Sequence, residues 1–213
     1  MTRSWGAAGF GVVVLALAVA ARAAPKQQPP SAAAKRGEYL VTIGSCNDCH
    51  TPWKAGPNGP EPDISRLLSG HPEALVMPPA PSPASPWMAT GSGTFTAWAG
   101  PWGVSFSSNL TPDAETGLGK WTEQNFIEAM RTGRHQGRGR QILPPMPWQS
   151  LAKATDADLK AIFAYLRTIP AIRNRVPDPI PPGEASAHGE GGAAAAGTAN
   201  DAGQREGAPR PTP

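Results

Sequence analysis

The chain has 213 residues and a formal net charge of +3, which falls to +1 once Arg3 and Arg22 are set aside with the N-terminal segment. That balance, with no long basic run, excludes a nucleic-acid partner. The 26 prolines and 24 glycines imply a loop-rich domain with disordered ends, and no internal repeat is visible.

The chain opens on a basic Met1-Thr2-Arg3 and continues as an apolar run from Gly6 to Ala21. Ala21-Arg22-Ala23 then places small residues at the two positions a signal peptidase reads. A secretory leader over 1–23, cut after Ala23, is predicted. The alternative is an uncleaved membrane anchor, for which the run is short of the roughly 20 apolar residues a spanning helix needs. Export puts the rest of the chain in an oxidising compartment, the periplasm. Residues 24–32 read as a proline-rich linker.

The ordered domain is expected over 33–176, with three helices. The first spans about Ala32–Ile43, capped by Ser31 and ended by Gly44. The only two cysteines of the chain follow at once, in Ser45-Cys46-Asn47-Asp48-Cys49-His50. Asp63–Ser69 reads as a short helical turn, and Gly91–Trp98 as a small hairpin. The second helix follows Trp121, with Thr122 as cap, Phe126, Ile127 and Met130 inward, and Gly133 as stop. The third is capped by Thr155, repeats Leu159, Ile162, Phe163 and Leu166 at helical spacing, and ends before Pro170. From Pro177 onward the chain holds no aromatic residue and hardly any large aliphatic one, so 177–213 reads as disordered, with His188 solvated. No strand–helix alternation appears, and the fold class is mainly α.

Three chemistries could use Cys46, Cys49 and His50. A thioredoxin-like dithiol needs its cysteines at a helix start after a strand, and here they come at a helix end. Zinc would need a fourth ligand from His71 or His135, neither in a paired spacing. Covalent haem uses all three residues together. Two thiols bond the two vinyl groups on one porphyrin edge, and the adjacent imidazole is carried under the ring to the iron. One haem c, attached through Cys46 and Cys49 with His50 as axial ligand, is the expectation.

Met146, between Pro145 and Pro147, is the expected second axial ligand, because flanking prolines stiffen the loop that would hold the thioether. Met77, Met88 and His135 are its rivals, and Met130 reads as helix core. Four arginines, 131, 134, 138 and 140, lie between the second helix and Met146. One or two of them would pair with the haem propionates, and the others would meet an acidic redox partner or solvent.

The helix leading into CNDCH, the Pro-Met-Pro loop and the closing helix Asp158–Arg167 resemble a small cytochrome c domain of the His/Met (class I) type, over about residues 35–172. Asn109-Leu110-Thr111-Pro112-Asp113 and Gly117-Leu118-Gly119-Lys120-Trp121-Thr122 are similar to stretches in bacterial dehydrogenase-associated cytochromes c. The resemblance implies that the first and last helices cross in contact, with Gly37 against the Phe163 and Tyr165 side. It also implies a single-electron carrier with no catalytic residue, whose partner is a dehydrogenase, an oxidase or another cytochrome. A haem enzyme such as a peroxidase, with an open distal face, is the alternative. The chain departs from a minimal domain in having His50 and Met146 about a hundred residues apart. The extra segment, roughly 53–108, is a long Pro/Gly/Trp-rich loop insertion expected to shield a haem edge and so raise the reduction potential. A satellite cluster packed elsewhere is the alternative.

Overall fold

The helices begin and end at the capping residues. A computed structural model describes residues 30–80 and 86–187; the leader, most of the linker and the chain beyond Ala187, His188 included, lie outside the described residues. Helix α1 spans Ala32–Ile43, and the Ser31 side chain accepts from the Ala34 amide at 3.1 Å. Helix α2 is the single turn Cys46–His50. Helix α3, Glu123–Thr132, opens on a reciprocal capping box in which Asn125 stands where Glu or Gln is usual. It closes on Gly133 in the left-handed conformation. Helices α4, Trp148–Leu151, and α5, Asp156–Leu166, complete the core, and Thr155 caps α5 through the Asp158 amide at 3.1 Å. Among the described residues no helix is long and apolar enough to cross a membrane.

Helices α1 and α5 cross at Gly37. A β-carbon there would overlap the carbonyl of Ala161 and lie 2.8 Å from the Tyr165 β-carbon. The contact is therefore with Ala161 and Tyr165, four residues apart on one face. Phe163, expected at this crossing, turns instead toward Phe126 of α3, with ring centroids 5.5 Å apart. The two aromatic rings, with Leu159, Leu166, Val41 and Met130, fill the centre of the core.

The insertion is not a loop. Strands β1 (Trp53–Gly56) and β2 (Gly59–Pro62) form a hairpin, and β3 (Thr90–Gly91), β4 (Ala97–Gly100) and β5 (Gly103–Phe106) form an antiparallel meander. The meander extends the hairpin expected at Gly91–Trp98 by a third strand. The first hairpin has no such signal, because Pro60 and Pro62 argue against a strand. In a two-stranded ribbon both strands are edges, so a missing amide can face away from the partner. The turn expected at Asp63–Ser69 is a single 3-10 turn, Ile64–Arg66.

The boundary drawn at residue 176 is also too early. Ile180 exchanges two backbone hydrogen bonds of 2.9 Å with Val104 on the outer edge of β5, and Pro182–Ala187 forms a short helix, α6. Gly103, at φ +89°, has its α-carbon against the backbone of Ile180 and Pro181. Low hydrophobicity pointed to disorder, but an open strand edge offers backbone partners that need no side-chain signal.

Candidate functional site

The two thiols share one side of a single helical turn. Gly44 ends α1, Ser45 adopts a left-handed backbone (φ 54°, ψ 29°), and the chain restarts as α2. Cys46 and Cys49 are then three residues apart on adjacent positions of one face. Both are free and half-buried. Burial raises the Cys46 thiol to about 11, helped by Cys49 and the Asp48 carboxylate, and burial raises Cys49 in the same direction. A dithiol oxidoreductase needs a depressed, nucleophilic thiol, so the redox-disulfide reading finds the opposite environment.

His50 is held in one protonation state. It is 8% exposed, and its Nδ1–H donates to the Ser108 carbonyl at 2.8 Å. A carbonyl only accepts, so the proton sits on Nδ1 and Nε2 keeps its lone pair. Burial lowers the ring's pKa, against a smaller opposing pull from the Ser108 bond. The imidazole is therefore neutral at ordinary pH, the form that ligates a metal. The backbone on either side is anchored too. The His50 carbonyl accepts from the Gly70 amide at 2.7 Å, and the Thr51 hydroxyl accepts from the Leu68 amide at 2.9 Å. The Trp53 indole donates to the Asp48 carbonyl at 3.2 Å.

The other two described histidines do not join the cysteines. His71 is fully buried, with Nε2–H donating to the Leu75 carbonyl at 3.1 Å and Nδ1 accepting from the Thr96 hydroxyl at 3.0 Å. His135 packs edge-on against Trp121, centroids 4.8 Å apart. Among the described residues no three His, Cys, Asp or Glu side chains are grouped to hold a metal ion. The zinc reading therefore finds no ligand set.

Met146 and Cys46 lie at the rim of the same hydrophobic core. The loop carrying Met146 is tied at three points. The Ile142 amide donates to the Gly133 carbonyl at 2.8 Å, the Ser105 hydroxyl to the Pro144 carbonyl at 2.5 Å, and the Trp148 amide to the Met146 carbonyl at 2.9 Å. The Pro144–Pro145 peptide is cis. The rival methionines are placed otherwise. Met88 is 70% exposed, and Met77 borders a cleft of about 370 Å³ beside Trp98 and Val104.

The arginines divide as well. Arg131 donates to the Ala152 carbonyl and pairs with Asp156 at 2.6 Å, joining α3 to the start of α5. It is a strut and leaves the propionate candidates. Arg134 donates to the Gly139 carbonyl at 3.2 Å. Arg140 borders a second cleft, of about 360 Å³, with Trp102 and Asp178.

Ser108, Ser105 and Gly70 all touch the site and were missed by sequence reasoning. Ser108 acts through its carbonyl, which no residue type announces. Gly70 acts through its amide, which likewise gives no sign in the sequence that it faces His50. The donor set fits haem c: two thiols on one face of a turn, a neutral imidazole next to the second, and a thioether on a tethered loop at the same core.

No protein-family model matches the chain. The chain is similar to a subunit of the nicotinate dehydrogenase of Pseudomonas putida, 30% identical over 175 residues, which is 80% of this chain and 12% of that protein. It is similar to the cytochrome c subunit of the quinone-type alcohol dehydrogenase of Gluconobacter oxydans, 28% identical over 183 residues, 84% of this chain and 30% of the relative. The gluconate 2-dehydrogenase cytochrome c subunit of Pantoea cypripedii is 33% identical over 138 residues, 65% of this chain and 23% of its own. The chain thus resembles dehydrogenase-associated cytochromes c while spanning a third or less of the length of these relatives.

Proposed function

We propose that the chain is an exported, periplasmic single-electron carrier serving a dehydrogenase. Its one haem c would be bonded through Cys46 and Cys49, with His50 and Met146 as axial ligands. The observation that carries this reading is His50: buried, neutral, its Nδ1–H committed to Ser108, next to two thiols on one helical turn. When bound, the haem supplies a ferric–ferrous couple that takes up and releases one electron. The chain's own residues hold and shield it. The end of the insertion reaches both ligands, since Ser108 holds His50 and Ser105 holds the Met146 loop. That placement favours the shielding role over a satellite cluster. The similarity to dehydrogenase cytochrome subunits supports a dehydrogenase as the redox partner.

Absorption spectra of the purified holoprotein test the ligands. A low-spin ferric spectrum with the weak red sulfur-to-iron band is expected, and Met146→Ala removes that band. A high-spin ferric form that binds cyanide or peroxide quickly would point to a haem enzyme instead. The mass of the purified chain tests export: it should lack residues 1–23.

A further inference from the structure

We propose that Asn174, far from the haem-attachment turn in sequence, is a positioning residue for the His50 imidazole. This rests on the reading of His50 as an iron ligand. Asn174 lies in the extended chain after α5 and is 2% exposed. Its side-chain amide uses every hydrogen-bonding capacity it has. Nδ2 donates to the carbonyls of Ser69 at 2.7 Å and His71 at 2.8 Å. Oδ1 accepts from the Glu73 amide at 2.9 Å and from Arg66 at 3.1 Å. Asn174 therefore grips the peptides on both sides of Gly70.

Gly70 is the piece that meets His50. Its amide donates to the His50 carbonyl. Its α-carbon, at φ +78°, abuts the backbone of Ser107 and Ser108: a β-carbon there would overlap the Ser107 carbonyl and lie 2.7 Å from Ser108 O. Ser108 O is the atom that accepts from His50 Nδ1. The chain around Asn174 also holds the next residue, because the Asn109 side-chain amide donates to the Ile172 carbonyl at 2.8 Å and, at 3.3 Å, to the Asn174 carbonyl. The Gly70 turn and the 107–110 segment are joined directly, by the His71 amide to Ser107 O and the Leu110 amide to Leu68 O, both at 2.9 Å, and the Asn174 side chain fixes the turn that makes those contacts. Loosening the clamp lets Ser108 O move off the ring.

The consequence is electronic. A hydrogen bond from Nδ1–H to a carbonyl makes the imidazole a stronger donor to the metal. A stronger donor favours the ferric state, so weakening the bond raises the reduction potential. A general loosening that admits water to the haem also favours ferric, and moves the potential down. The two effects have opposite signs.

The test uses holoprotein carrying Asn174→Ala. The wild-type spectrum first establishes haem with low-spin ligation, and its failure would sink the parent reading and not the clamp. In the variant, the His50 Nδ1 proton, followed by NMR in the ferrous form, should exchange roughly tenfold faster, the loss expected from about one hydrogen bond's net worth. The potential should shift upward. Asn174→Ser, which keeps a short donor, should give a smaller shift in the same direction, and it decides the matter if the alanine variant does not fold. Unchanged exchange with an unchanged or lowered potential overturns the proposal, as does an equal upward shift in Gly37→Ala, which loosens the helix crossing instead.

Discussion

Ser105 and Ser108, three residues apart at the end of the insertion, bond two different parts of the candidate site. The Ser105 hydroxyl donates to Pro144 O in the Met146 loop at 2.5 Å, and the Ser108 carbonyl accepts from His50 Nδ1 at 2.8 Å. The insertion that separates His50 from Met146 in sequence thereby fastens both.

Ser105→Ala should loosen the Met146 loop while leaving Met146, the proposed ligand, in place. Ser105 is buried, and the variant also leaves the Trp102 indole without its acceptor at 3.3 Å. Stability to denaturant should fall by about 1–3 kcal/mol. The red sulfur-to-iron band should persist, while imidazole displaces the thioether at lower concentration. An imidazole titration matching wild type would show that Ser105 does not govern this loop.

Gly37→Ala reverses the usual sign of a helical glycine substitution. At an open helix site alanine adds up to about 1 kcal/mol. Here the new methyl meets the Ala161 carbonyl, which backbone cannot yield without separating α1 and α5. A loss of about 1–3 kcal/mol in chemical denaturation is expected. A stabilised variant would mean the helices are not in contact at this point.

His71 predicts acid sensitivity in the insertion. Its pKa is lowered from 6.5, first by burial and then by the charge of Arg66, against the Leu75 carbonyl bond. Above 6.5 the ring is neutral in both folded and unfolded chains, so the folded state keeps its full stability. As pH falls below 6.5 the unfolded chain takes up the proton first, and stability is lost until the lowered folded pKa is reached. His71→Gln should flatten that part of the stability–pH curve, measured between pH 7 and about 5. An unaltered slope would assign the acid sensitivity elsewhere.

Deleting residues 177–213 should matter, although their composition suggests otherwise. The deletion removes both Val104–Ile180 backbone bonds and bares the outer edge of β5. A loss of about 1–3 kcal/mol is expected, with concentration-dependent association seen by size-exclusion chromatography. A chain ending at Ala187 keeps both bonds and should be more stable than one ending at residue 176. Equal behaviour of the two truncations would show that the docked segment contributes nothing.

Helices α1, α3 and α5 and the Cys46–His50 motif were legible because their signals act over three or four residues, whereas the short helices α4 and α6 were not. Ser31, Thr122 and Thr155 cap amides three residues on, and Gly133 relieves a strained backbone at its own position. Cys46, Cys49 and His50 are contiguous, so their chemistry could be read before any fold. The first hairpin, by contrast, was hidden by prolines that only an edge strand tolerates.

What the sequence alone determined is therefore the chemistry offered: two thiols, an imidazole beside them, and a proline-braced thioether. Tertiary structure decided which atoms hold them. Ser108 O meets His50 across 58 residues, Ser105 meets Pro144 across 39, and Asn174 meets Ser69 across 105. All three contacts end on backbone carbonyls, which every residue supplies alike, so no pattern of side chains could announce them. Only the folded path of the chain selects which carbonyl arrives.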